Sequence, residues 1–298
     1  MNSKTSKVSR RRFLVSSAAL ATTLQLRRAA HAAGLTVNAE VCRLVAEQEQ
    51  GPYYIVEELL RSNIVEGRPG VPLALRILVL DSRGCKPLAN AAVDIWHCDA
   101  SGLYSGFTQG NPMGPGGPGG PDGRPPGFDP QHPGDHPGPP GMMGPPPENH
   151  PTDKLTFLRG TQLTGSDGAV SFQTVFPGYY MGRTNHIHFK VRVDPGKSYA
   201  AGHTSHTGQI FFDERFTAEL MRHEPYSLHK IHRTTQSEDA VFTDQHGDLS
   251  IARLQFSDPK HIAEGMHADI VASVDPAAIP PAAQRRGGPG GPPPPAMD

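Results

Sequence analysis

The sequence predicts an all-β fold, an antiparallel β-sandwich with long loops and a Gly/Pro-rich insert. Three observations carry that prediction. Short apolar, β-branched runs recur along the chain, Gly, Asp and Pro turn signals bound them, and few stretches hold a 3.6-residue period. In order the runs are Leu73–Leu80, Ala92–His97, Ala169–Val175, His186–Val193, Gly208–Phe212, Leu249–Phe256 and His267–Val274. The first ends at Asp81-Ser82-Arg83-Gly84, and the second follows a Pro87-Leu88 turn. Two helical segments are expected beside them. Val41–Gln50 reads as a short helix leading into a Gly51-Pro52-Tyr53-Tyr54 turn, and Phe216–Glu224 as a helix outside the sheets.

A length of 298 residues leaves room for one large β-domain plus appendages. Hydrophobic residues at 36% are few for a fully packed chain, because 33 glycines and 31 prolines dilute them. These cluster at 110–147 and near the C-terminus. Segments of that composition bury too little apolar area to offset their ordering entropy. The reading is a mobile loop at 110–147, with His132 and His136 as solvated loop histidines, and a disordered tail at 276–298. A net charge of −1 gives no electrostatic footprint for nucleic acid and suits a small molecule of little charge.

The N-terminus reads as an address. Ser9-Arg10-Arg11-Arg12-Phe13-Leu14 precedes an apolar stretch from Val15 to Leu26, and Ala30-His31-Ala32 offers a small-residue cleavage site. Paired arginines before Phe-Leu mark the twin-arginine route, so residues 1–33 are a signal and 34–275 the folded domain. The apolar run is too short and polar for a membrane span in the mature form, and the expected location is periplasmic or extracellular. Three cysteines, Cys42, Cys85 and Cys98, include no C-x-x-C pair, so a zinc or iron–sulfur cluster is disfavoured. In an exported protein one disulfide and one buried thiol is the natural arithmetic. Cys85 and Cys98 lie at opposite ends of a strand unit, which leaves Cys42–Cys85 and Cys42–Cys98 both open.

The sharpest local signal is Asn185-His186-Ile187-His188-Phe189. A period of two puts both imidazoles on one strand face and the apolar residues on the other, forming half of a metal site. Taken alone the pair is weak, since histidines satisfied by hydrogen bonds are commoner than ligands. Two tyrosine segments change the weighting. Trp96-His97-Cys98-Asp99-Ala100-Ser101-Gly102-Leu103-Tyr104-Ser105 runs from a strand into a polar turn, and Pro177-Gly178-Tyr179-Tyr180 is a turn ahead of Arg183 and the histidines.

In this order the segments resemble the intradiol ring-cleavage dioxygenase family, whose familiar members are catechol dioxygenases and protocatechuate 3,4-dioxygenase. Gly51-Pro52-Tyr53-Tyr54 and Lys86-Pro87-Leu88-Ala89-Asn90-Ala91 fit the same pattern. The resemblance spans roughly Cys42 to Asp213 without the insert. It implies a mononuclear non-haem Fe(III) held by Tyr104, Tyr180, His186 and His188, with Tyr180 preferred over Tyr179 by the Pro-Gly-x-Tyr spacing. Phenolate oxygens are hard anionic donors suited to Fe(III), and neutral imidazoles complete the set. The implied reaction is O2-dependent cleavage of a catechol-type ring to a cis,cis-muconate-type diacid. Tyr180 would also accept a substrate proton, Arg183 would stabilise negative charge on the ring, Gln209 would support the oxygen site, and Tyr53 would line the pocket mouth.

The bland alternatives are a loop salt bridge for Arg183, an exposed amide for Gln209 and core packing for Trp96. His97, His203 and His206 read as hydrogen-bonded supporting or surface histidines. The match loosens at Arg183-Thr184-Asn185, where the family's proline is missing. Only five residues separate Tyr180 from His186, which predicts a more open pocket. No N-terminal helical dimerisation segment is visible, and a homodimer is left open. The competing reading is a transthyretin-like binding module without turnover. A zinc hydrolase built on His-x-His comes third, for want of a further nitrogen or carboxylate ligand.

Overall fold

The computed structural model of the protein describes residues 42–109, 150–194, 196, 198–258 and 261–280. The signal expected over 1–33, the insert at 110–147 with His132 and His136, and the tail beyond Pro280 lie outside the described residues.

The apolar run at Leu73 becomes strand β1 (Pro72–Asp81). Leu73, Leu75, Ile77 and Val79 alternate onto the core, while Leu78 and Leu80 are buried on the opposite face. β1 is flanked by β5 (Ala169–Val175) and β9 (Met266–Val274), with β2 (Lys86–Pro87) and β8 (Arg253–Phe256) at the margins of this five-stranded sheet. The second sheet has the order β4 (Arg159–Leu163), β3 (Ala92–Trp96), β6 (Ile187–Val193), β7 (His203–Ile210). Val93, Ile95, Ile187, Phe189 and Val191 face the first sheet and close one continuous core. Each such fully buried side chain contributes about 1.5–3 kcal/mol. The sandwich is as expected, with one difference in pairing. β1 and β9 run parallel, which is possible because nearly the whole domain serves as their crossover.

Tertiary contacts override local pattern in several places. Residues 42–50 form no helix. Val45 N–H donates to Ser273 O (3.0 Å) in the first sheet and Gln48 N–H to Thr207 O (2.9 Å) in the second, so the segment is a strap across both. β4 escaped prediction because Arg-Gly-Thr-Gln-Leu has no apolar alternation. β7 starts at His203 rather than Gly208, and β8 at Arg253 because residues 247–250 form a 3-10 turn. Helix α1 (Glu214–Leu220) begins earlier than expected, since Asp213 caps it by accepting from Phe216 N–H (2.9 Å), and α2 (Ala240–Asp244) is additional. Among the described residues no helix is long and apolar enough to cross a membrane.

β3 and β6 are buried on both faces. Their outer face carries Asp94, Trp96, His188, Lys190 and Arg192, roofed by the strap. Asp94 accepts from Arg192 (2.6 Å), Thr161 (2.7 Å) and the Tyr54 hydroxyl (3.0 Å), so the buried charges are paired. The disulfide is Cys42–Cys85, with Cα atoms 5.4 Å apart, and Cys98 is a buried free thiol. It ties the strap to the β1–β2 turn. His97 joins the two sheets: its Nδ1–H donates to Cys98 O (2.8 Å), which leaves Nε2 to accept from the Thr174 hydroxyl (2.7 Å) on β5.

Two stability predictions follow from these links. The disulfide closes 43 residues of sequence separation, so Cys42→Ser lowers unfolding free energy by about 4 kcal/mol in denaturant titration. His97 is pushed by burial from 6.5 to about 4, so as pH falls through that window the unfolded chain takes up the proton first and stability drops. In metal-free protein His97→Gln removes a loss on the order of 3 kcal/mol between pH 6.5 and 4. An unchanged pH slope would contradict this account.

Candidate metal centre

Tyr104 is aimed by the loop that leaves β3. Asp99 organises that loop: Oδ1 accepts from Ser101 N–H (2.9 Å), the Ser101 hydroxyl (2.7 Å) and Leu103 N–H (3.1 Å), while Oδ2 pairs with Arg68. Beyond the tyrosine, Arg159 donates to both Ser105 Oγ (2.9 Å) and Ser105 O (2.7 Å). Tyr104 is held on both sides and fully buried.

Tyr180 leaves a turn packed backbone to backbone on the Asp99 loop. A Cβ at Gly178 would lie 2.2 Å from Asp99 O, so no side chain fits there. Asn185 Nδ2 donates to Pro177 O (2.9 Å) and Gly178 O (3.0 Å), drawing this turn onto the histidine segment. The short Tyr180–His186 connection is thus fastened at both ends. Tyr104, Tyr180, His186 and His188 are all 0–3% exposed.

His186 precedes β6 and His188 lies in it, both on the outer face. Their Nε2 atoms are 3.1 Å apart, and His186 Nε2 is 3.4 Å from the Tyr104 hydroxyl and 3.5 Å from that of Tyr180. His186 Nδ1–H donates to Thr184 O (2.6 Å), which turns its Nε2 lone pair inward. His188 is oriented by packing instead. Its ring stacks on Trp96 (4.9 Å, 3° between planes), and Gly51 (φ +69°) abuts it, where a Cβ would be 3.1 Å from Cε1. Tyr179 points elsewhere, its hydroxyl donating to His229 O (3.1 Å). Tyr53 stacks on Tyr104 (4.4 Å) and meets Tyr180 edge-on (5.9 Å).

Arg183 stands beside this group. Its Nε donates to both Asp239 carboxylate oxygens (3.1 Å each), its Nη2 to Gln209 Oε1, and Nη1 is 3.8 Å from Glu49 Oε1. Gln209 in turn donates to Glu49 O (2.9 Å).

No protein-family model and no curated protein matches the sequence. Solved structures do. An intradiol ring-cleavage dioxygenase from Tetranychus urticae is 33% identical, covering 79% of this chain and 96% of that one, with a TM-score of 0.62. The chain belongs to the intradiol ring-cleavage dioxygenases. A second solved dioxygenase is 32% identical over 81% of this chain and 98% of the other, with a TM-score of 0.63.

In this dioxygenase the donor set fits a ferric ion. Burial, and then the neighbouring Tyr180, pushes the Tyr104 phenol well above its ordinary value, and burial does the same to Tyr180. Burial pushes His186 and His188 well below theirs, which favours the neutral rings, and the His186 Nδ1–H bond to Thr184 O leaves its Nε2 lone pair free for a metal. Burial opposes the charge on Arg183, but Tyr180, Asp239 and Glu49 outweigh it and its pKa is raised. Two phenols and two neutral imidazoles with converging donor atoms suit a hard trivalent metal that displaces the phenolic protons. A zinc site on His186 and His188 finds no support. Among the described residues the cluster of three His, Cys or carboxylate ligand atoms is Asp258, His261 and Glu264, at the surface.

The other three histidines singled out in the sequence have structural partners. His97 bridges the sheets, His206 pairs with Glu47, and His203 Nε2 lies 2.6 Å from Ala278 O. Sequence reasoning missed Glu49, Asp239 and the contact of Gly51 with His188. Glu49 fell in a segment read as helix. Asp239 carries only the signature of a helix cap, which it also is.

The geometry separates adjacent tyrosines. With Tyr104 and Tyr180 as the two phenolates of a ferric site, Tyr180→Phe shifts and weakens the visible iron–tyrosinate band of reconstituted protein, while Tyr179→Phe leaves it unchanged and costs about 1 kcal/mol of stability. Gly51→Ala strains a left-handed residue and crowds His188, weakening iron binding by about tenfold or more in chelator competition.

Proposed function

We propose that Tyr104, Tyr180, His186 and His188 hold one Fe(III), and that the enzyme cleaves a catechol-type ring between its two oxygens to a cis,cis-muconate-type diacid. The observation that supports this most is the convergence of two phenol oxygens and two imidazole Nε2 atoms on one buried point. When bound by these residues, ferric iron would supply Lewis acidity, drawing electron density from a coordinated catechol and priming its ring for O2.

The protein's own groups have separable tasks. Tyr104 is the fixed donor, locked through Ser105 by Arg159 and covered by Tyr53. Tyr180 sits on the short turn beside Arg183, and its raised pKa makes its phenolate a base able to hold a proton lost by a substrate hydroxyl. Arg183, kept charged by its acidic neighbours, faces negative charge developing on the ring. Gln209 orients Arg183 through its amide oxygen. Tyr53 presents an aromatic wall to a flat substrate. Residues 1–33 are read as a twin-arginine signal, so the enzyme would meet its substrate outside the cytoplasm.

The deciding experiment is a visible spectrum with metal analysis, repeated anaerobically with catechol. The expected result is a red-brown, iron-containing protein whose band shifts with catechol, and diacid product once O2 is admitted. A protein that stays colourless after iron reconstitution would refute the ligand assignment.

A further inference from the structure

We propose that Asp239 is a positioning residue for ring cleavage: one buried carboxylate that holds the Arg183 guanidinium and also the backbone that aims His186. The proposal rests on the reading of His186 as a metal ligand and of Arg183 as the charge facing the ring. Asp239 lies in neither tyrosine segment nor the histidine segment, and is 56 residues beyond Arg183.

Asp239 is fully buried, and a buried carboxylate is tolerated only when its oxygens are engaged. Oδ1 accepts from Arg183 Nε (3.1 Å), Val241 N–H (2.9 Å) and Phe242 N–H (3.4 Å). Oδ2 accepts from Arg183 Nε (3.1 Å) and Thr184 N–H (2.9 Å). Two arms lead from it to the site. In the first, Arg183 is clamped at Nε by Asp239 and at Nη2 by Gln209, with Glu49 near Nη1, so the guanidinium plane has little freedom. In the second, Thr184 is pinned by its N–H to Asp239 while its carbonyl accepts from His186 Nδ1–H (2.6 Å). The charge partner of the ring and the tautomer-setting acceptor of an iron ligand thus share one anchor.

The bland reading is that Asp239 merely caps α2. That helix has five residues, and serine caps a helix as well as aspartate does. An ionised carboxylate is needed by Arg183, not by the cap.

The test uses full-length protein with three readouts: kcat and KM for catechol, iron affinity of metal-free protein against a chelator, and the thermal midpoint of metal-free protein. Asp239→Asn lowers kcat about a hundredfold with a smaller change in KM, because a displaced guanidinium loses charge stabilisation. In an Arg183→Ala background the same change costs less than about threefold further in kcat, since the first arm is already gone. Iron affinity falls about tenfold in both backgrounds, because the Thr184 arm does not pass through Arg183. Asp239→Ser keeps a capping oxygen but no carboxylate for Arg183, and does not recover kcat. The proposal is overturned if Asp239→Ser recovers wild-type kcat, or if Asp239→Asn costs as much with Arg183→Ala as without it. The Tyr104→Phe/Tyr180→Phe double variant is the control that must lose the visible band. If it keeps the band, the metal site itself is misassigned and the inference falls with it.

Discussion

Two imidazole nitrogens, 3.1 Å apart and nearly sealed from water, constrain everything around them. They arise because a strand repeats every two residues, so His186 and His188 must share a face. Without a metal the two nitrogens can share one hydrogen, and placing a second proton on either ring is costly in so buried a place. A cation, as proposed above, would take both lone pairs, with the two phenols as further donors. The protein aims each ring separately, His186 by a hydrogen bond to Thr184 O and His188 by the Trp96 face and the Gly51 backbone.

Sealing that site requires covering the polar outer face of a sheet whose inner face is core. The strap does this. Its backbone bonds to both sheets, the Cys42–Cys85 disulfide moors one end, and Tyr54 and Gln50 engage Asp94, Arg192 and Lys190. Lys190 lies over the Tyr54 ring at 3.7 Å, and burial pushes its ammonium down to about 8. The same strap delivers Glu49, Gly51 and Tyr53 to the site. Stability and chemistry are thus coupled through one irregular segment.

The proposed metal donors come from β3, β6 and their loops, whereas the groups that hold them come from other parts of the chain. Arg159 steadies Tyr104 through Ser105, and Glu49 and Asp239 set the charge around Arg183. Supporting groups of this kind place a small constellation to within a fraction of an ångström, as electrostatic preorganisation demands.

Local physics alone determined the sandwich, the shared face of the two histidines, and the two tyrosine turns. Alternation, turn residues and motif spacing are properties of adjacent residues, and they were legible at β1, β3, β5, β6 and β9. Where the contacts were distant, sequence gave no signal. The Val41–Gln50 segment has a helical pattern but spends its hydrogen bonds on strands more than 150 residues away. β4 and β7 are polar strands covered by distant segments, β4 by residues 59–61 and β7 by the strap. The pairing of Cys42 with Cys85, the parallel β1–β9 contact and the Asp239–Arg183 clamp each join residues far apart in sequence. Only the closed tertiary structure brings those groups within a hydrogen bond's reach, because a long-range contact leaves no periodic trace in the chain that makes it.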